Sequence, residues 1–462
     1  MTSWLRTRSW IALGWLAACG GDHRDTPVDG APMPTDAMTD DAPPPPPPVD
    51  APSRVSVTVL TNADDGGPDT TARVIFADAS RQLVKQDLVD ATGSLSADLP
   101  AGGFVHVLHV FDSTSGRGVN LTSIRVKPGD HLTFGVAGHT PQGAAVTVQG
   151  TFTPIENVST NYAFAHRCGS GDALGINTAR LSSVAGCLSA TFDVLGTNDS
   201  AASEGISPHY VWFTATPAGG FAAPAMQEMP PFTATIHAVP VGSAVQVRRM
   251  TLLPPYYNDA AAVTAQTVTA ADANVPVPVA YPPPPAGTTA IGVVEARVSP
   301  TTFDPQLQVI RTRVAGNAAS SDLDLAALPL PVVQTAPTLS GKVVSWTQTG
   351  TGTPDLREVS IPIGYKVGTL NYTMTWTVID GAADSSVELP GLPTMFADFD
   401  PTQQPAPVSS TGTVLYIDYS NVQGFDAARQ LPLGSLDGHN SVLYGAGLFE
   451  GQLYSVHASM HF

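Results

Sequence analysis

The chain has 462 residues, room for roughly two to four domains. Its 39 acidic residues outnumber 21 basic ones, for a formal net charge of −18. That balance argues against nucleic acid and anionic lipid as partners, since both are bound through Lys and Arg, and the only tight basic pair is Arg248-Arg249. Charged residues make up 13% of the chain, against about 25% in typical soluble domains, and the dispersed 43% hydrophobic share is too low for a bundle of membrane spans. Thr, Ser, Ala, 42 Gly and 42 Pro fill the gap, which points to exported sheets and turns rather than to any chemistry.

Residues 1–18 read as a signal peptide. Arg6 and Arg8 form a basic start, and Trp10 to Ala18 is an apolar run of nine residues. As a helix that run rises about 13 Å, too little for the roughly 30 Å hydrocarbon core of a bilayer. It ends in Leu16-Ala17-Ala18-Cys19-Gly20, which resembles the lipobox of bacterial lipoproteins. The resemblance implies cleavage before Cys19, diacylation of its thiol and a stable lipid anchor. Gly20 after the cysteine, with Asp22 further on, implies sorting to the outer membrane. The alternative is an ordinary signal peptide that happens to precede a free cysteine.

Residues 19–53 read as a disordered acidic tether. Seven Asp, one Arg and the hexaproline Pro43 to Pro48 leave too little apolar surface to offset ordering entropy. Polyproline II rises about 3.1 Å per residue, so the tether reaches up to roughly 100 Å from the lipid.

From Arg54 the pattern turns to strands. In "RVSVTVL", Val55, Val57 and Val59 share one face and Ser56 and Thr58 the other. Within 54–142, Gly93, Leu99, Pro100, Ala101, Gly102 and Phe104 fall in an order that resembles the carboxypeptidase regulatory-like (prealbumin-type) β-sandwich. Phe104 replaces that family's usual Tyr, and Gly103 lengthens its turn. The resemblance implies a seven-stranded module without catalysis of its own, used as a spacer or binding platform. His106 and His109 are three apart on a strand and therefore face opposite ways, which disfavours a shared metal ion.

Residues 143–335 continue as a β-rich region of one or two subdomains, with a soft boundary near 245. Prolines at 224–231, 254–255 and 276–285 read as long connections, because proline cannot occupy a central strand. Cys168 and Cys187 bracket a Gly-rich stretch and read as a disulfide, worth about 3 kcal/mol for a loop of roughly 20 residues. The rival is a thiol nucleophile with His166. Gly169, Gly171 and Gly175 have the wrong spacing for a dinucleotide cradle and read as a loop.

Residues 336–462 read as a C-terminal β-sandwich. The segment "NYTMTWTV" alternates Tyr372, Met374, Trp376 and Val378 with Thr373, Thr375 and Thr377. The ending "LYSVHASMHF" reads as a core strand rather than as part of an outer-membrane barrel. The acid pairs Asp64-Asp65 and Asp398/Asp400 lack a calcium-loop pattern. No strict internal repeat is visible, and neither is any hydrolase, zincin, Walker or dinucleotide motif, so no catalytic residue, metal or cofactor is expected.

The expected fold is therefore all-β, with tandem Ig-like or prealbumin-like sandwiches after a disordered Pro-rich tether. The expected role is non-catalytic: a lipid-anchored envelope lipoprotein that binds another envelope component, protein or glycan. One alternative is an enzyme processing envelope glycans or peptides, with Asp398, Asp400 or Glu358 as its carboxylates. Another is a pure spacer.

Overall fold

In the computed structural model, 61% of the described residues lie in strands and 4% in helical turns, so the all-β expectation holds. The described residues are 53–461 except 61–66, 114–115, 136–143, 156–161, 167–168, 185–190, 199–207, 254–261, 289, 302–305, 328, 405–406, 410, 421, 432 and 434–455. The signal sequence, Cys19, the tether, Asp64, Asp65, Cys168 and Cys187 all lie outside them.

Valines at every second position drive the first sandwich. It consists of β1 (Arg54–Val59), β2 (Arg73–Asp78), β3 (Leu83–Leu88), β4 (Ser94–Asp98), β5 (Gly103–Ser113), β6 (Gly116–Val126) and β7 (His131–Phe134). β1 pairs antiparallel with β4 and parallel with β7, giving one layer in the order β4-β1-β7. The other layer runs β3-β2-β5-β6. Val55, Val57 and Val59 pack across the gap on Val74, Phe76, Val105, Val107 and Ile124.

A second sandwich repeats this topology strand for strand. Its members are β8 (Pro231–His237), β9 (Ala244–Leu252), β10 (Ala262–Thr269), β11 (Val275–Ala280), β12 (Ile291–Ser299), β13 (Gln306–Val314) and β14 (Ser320–Asp324). β8 pairs antiparallel with β11 and parallel with β14, and the facing layer runs β10-β9-β12-β13. Matching details recur. Pro100-Ala101-Gly102 and Pro285-Ala286-Gly287 both turn on a left-handed glycine, at φ +70° and +85°. The Leu99 N–H donates to the Ser53 carbonyl (2.8 Å), and the Tyr281 N–H to that of Pro230 (3.1 Å).

Two expectations for this region need correction. Pro276 and Pro278 lie inside β11 rather than in a connection; β11 is an edge strand, where a missing N–H costs no ladder bond. Val245, near the soft boundary, is fully buried in the second core, which begins with β8.

A C-terminal unit joins the sandwiches. It comprises β15 (Leu356–Val367), β16 (Leu370–Asp380), β17 (Thr413–Tyr419) and β18 (Val456–His461), ordered β18-β17-β15-β16. β16 pairs parallel with β6, and β18 pairs antiparallel with β13. Both sandwiches thus dock through their sixth strand, and four strands from each of the three parts make one continuous path within a thirteen-stranded sheet. Trp376, Met374 and Tyr372 on β16 pack with Leu108 and Leu121 of the first sandwich, so the seam is a shared apolar core. The ending read as a core strand is β18, central between β13 and β17.

Between the sandwiches, eight strands from Ala145 to Glu228 form a separate sheet round a core that includes Phe152, Phe164, Phe192 and Phe213. The Gly-rich stretch read as a loop is here a hairpin of Gly169–Ala173 with Thr178–Val184. Gly171 permits it, since a Cβ there would lie 2.3 Å from the Arg180 carbonyl oxygen.

Candidate functional site

On the face of the β5–β6 hairpin turned toward the C-terminal unit, successive cross-strand pairs change character. Leu108 and Leu121 belong to the core, His106 and Ser123 follow, and Phe104 and Arg125 come last. β16 runs alongside β6 until Ile379 pairs with Ile124, then turns away at Asp380 and Gly381. A cavity of about 530 Å³ opens where these parallel strands part.

Its walls are apolar at Phe104, Val378, Ile379 and Phe425, the last carried by α1 (Phe425–Ala428). Gly381 lets α1 approach, since a Cβ there would stand 2.4 Å from Phe425 Cβ. Buried Asp355 fixes the start of α1 by accepting the N–H groups of Tyr419 (2.9 Å) and Gly424 (2.5 Å). Burial, followed by the hydrogen bond and repulsion from Asp355, pushes the neighbouring Asp418 carboxyl up to about 7.

Three arginines and three acids also line the cavity: Arg81, Arg125, Arg357, Asp380, Asp384 and Glu388. They are not equally committed. Arg357 grips Asp380 through two parallel bonds of 2.7 and 2.6 Å, and its remaining amino group donates to the carbonyls of Asp384 (2.7 Å) and Ser386 (3.0 Å). Its guanidinium also lies 5.5 Å from the Trp346 ring centre, so it acts as structural glue. Arg81, on the β2–β3 turn, reaches Glu388 at 3.2 Å across open surface, which makes a weak pair. The side chains of Arg125 and Asp384 have no partner among the described residues.

At the buried end of this lining, the Ser123 hydroxyl accepts the Trp376 indole N–H (2.9 Å) and lies 2.8 Å from His106 Nδ1. With the indole donating into Oγ, the serine proton goes to Nδ1 and the imidazole proton to Nε2, which has no partner among the described residues. Burial pushes the His106 pKa down to about 3, with Asp400 opposing and Arg81 assisting. Serine and imidazole at this distance have nucleophile–base geometry. Both are fully buried, and an imidazole this weakly basic takes no proton near neutrality, so the pair works as an internal tie.

No protein-family model matches this chain, and no curated protein does either. Its site is therefore read from geometry alone.

The residues singled out from sequence do not converge there. His109 lies on the opposite face from His106, with Nδ1 3.4 Å from Asp69. Asp400 is buried and accepts from the backbone of Leu392 (3.2 Å) and Thr402 (2.9 Å), the Thr402 hydroxyl (2.6 Å) and Gln403 Nε2 (2.8 Å). It caps a 3-10 turn and keeps no oxygen for a substrate. Asp398 is exposed on the preceding turn, and Glu358 is buried on β15. His166 packs at 5.2 Å on Phe192. Among the described residues, no three His, Cys, Asp or Glu side chains group as metal ligands.

Sequence reading missed Arg81, Arg125, Asp384, Glu388 and Phe425. One signal was available: Arg125-Val126 before a turn is echoed by Arg313-Val314 before the equivalent turn. Another was the acid-rich, small-residue run "DGAADSSVE" from Asp380, whose composition suits a surface loop.

Proposed function

We propose that this chain is a lipid-anchored lipoprotein of the bacterial envelope, sorted to the outer membrane, whose folded part binds another envelope component without catalysis. The observation that carries the binding role is the seam cavity. Its volume of about 530 Å³ falls in the roughly 300–1,000 Å³ range of ligand pockets, and it lies at a junction of folded units, where such pockets concentrate. The anchor rests on the lipobox-like Leu16 to Gly20 and the exported composition. The processing-enzyme alternative is not carried further, because Asp400 is committed to capping a turn.

A cavity-filled variant tests the binding role. Gly381→Val drives a side chain toward Phe425. Ligand-observed NMR on a low-molecular-mass envelope extract is expected to show signals that broaden with the wild type and not with the variant. Equal spectra would sink the reading. Metabolic labelling with a fatty-acid probe is expected to mark wild type but not Cys19→Ala, and labelling of both would remove the anchor. Mass mapping without reduction is expected to join the Cys168 and Cys187 peptides.

A further inference from the structure

The cavity lining indicates the chemistry of its ligand, an inference that rests on the binding role proposed above. Of six charged side chains, Arg357 and Asp380 hold each other, and Arg81 and Glu388 pair at the rim. One cation, Arg125, and one anion, Asp384, remain, both exposed and both without a partner among the described residues. A purely anionic ligand would leave Asp384 uncompensated, and a cationic one would leave Arg125 so.

The second sandwich shows how this fold satisfies an arginine when it does so internally. Three pairs back from the last pair of each hairpin, His106–Ser123 in the first sandwich corresponds to Glu295–Arg311 in the second. There β12 supplies a carboxylate, which binds Arg311 at 2.9 Å and Arg297 at 2.6 Å. At the same place the first sandwich carries the neutral pair His106 and Ser123, while Arg125 matches Arg313, which lies two residues beyond Arg311 on β13. The long-range field bears on the choice as well. A protein of net charge −18 repels free anions but exerts no net force on a neutral zwitterion.

We infer that the cavity takes a small zwitterion of amino-acid or short-peptide chemistry. Arg125 holds its carboxylate and Asp384 its ammonium, while its apolar body lies against Phe104 and Phe425. The carboxylate–guanidinium contact fixes orientation, and the aromatic walls favour a non-polar side chain.

Calorimetric titration of the full-length protein at neutral pH tests this with four probes: the dipeptide Leu-Phe, its N-acetyl derivative, its C-terminal amide, and galacturonic acid. The dipeptide is expected to bind, and each blocked form to bind at least about tenfold more weakly. Arg125→Gln is expected to weaken the dipeptide to the level of the amide without changing the amide. Asp384→Asn is expected to do the same relative to the acetylated form. Both side chains are exposed and unpaired among the described residues, so thermal melts of the variants should match wild type. Binding of either blocked form as tightly as the dipeptide would overturn the assignment, and so would tightest binding of galacturonic acid, which carries no ammonium. If none of the four binds, the zwitterion falls, while the extract experiment with Gly381→Val decides independently whether the cavity binds anything.

Discussion

The two sandwiches share a topology and differ in what they bury at one equivalent position. In the second, Glu295 lies at the centre of a row in which Arg248 and Arg311 flank it on the neighbouring strands, with Arg297 two residues along. In the first, the matching row reads Ile75, His106 and Ser123, with no charge at neutral pH. The same sheet position thus accepts either an ion network or a neutral hydrogen-bonded tie. One step along the neighbouring strand, Phe76 of the first core corresponds to Arg249, whose guanidinium lies 5.2 Å from the Phe232 ring and 5.1 Å from that of Tyr281. The second sandwich has exchanged apolar packing for cation–aromatic packing without changing its strand order.

Removing one member of each pair should break the comparison or sharpen it. Glu295→Gln removes the charge that three arginines share, one of them, Arg311, nearly enclosed, and is expected to cost about 3–5 kcal/mol in denaturant unfolding. His106→Leu removes one neutral hydrogen bond and one unpartnered nitrogen, so its cost should be about 1 kcal/mol or less. Equal losses would mean that the two rows are not energetically distinct.

Acid should separate them further. His106 has its pKa lowered from 6.5 to about 3 in the fold, so the unfolded chain binds its proton first. Stability from this group is full above pH 6.5 and is lost as pH falls toward 3, on the order of 3 kcal/mol by pH 4. For Glu295, burial pushes the carboxyl up, but Arg311 and Arg297 overcome it and hold it at about 2. Its contribution is present above pH 4.5 and fades only between 4.5 and 2. His106→Gln should therefore flatten the upper part of the stability–pH profile and leave the lower part, which calorimetry across that range would check.

The turn glycines give a smaller contrast. Gly287→Ala meets no atom within 4 Å and should cost only left-handed strain, about 1 kcal/mol. Gly102→Ala adds a contact at 2.5 Å to the Val126 carbonyl oxygen and should cost more. The smallest effect belongs to the C-terminal unit. Asp418 is raised from 3.8 to about 7, so its carboxylate destabilises the fold as pH rises through that interval. Asp418→Asn is expected to stabilise the protein at pH 8 by under about 1 kcal/mol, after allowance for its partial exposure to solvent.

Much of the fold is legible because strand alternation is local. Val55, Val57 and Val59 are fully buried as their spacing requires, and so are Met374 and Trp376. The alternation of "NYTMTWTV" weakens toward its end, where Thr377 is buried against Ser360, because a second layer covers that face too. The repeat was hidden because topology preserves pairing rather than residue identity; the Pro-Ala-Gly turns, the Arg-Val strand ends and scattered positions such as Gly103 and Gly292 are shared in the sequence. The candidate site was hidden for a related reason. Arg125 and Asp384 are brought to one cavity by parallel pairing of strands far apart in sequence, and nothing local to either residue announces the other.

The docking of both sandwiches on one C-terminal unit has a consequence for synthesis. β6 and β13 are long edges that stay open until β16 and β18 have emerged, and an open edge is a template for pairing with another chain. β18 completes two neighbours at once, so a chain interrupted before Val456 would leave both β13 and β17 unprotected. During synthesis the protein thus has a period of exposure set by the distance between its first sandwiches and the strands that seal them. Folding factors would meet it as a row of unsealed edges rather than as finished domains.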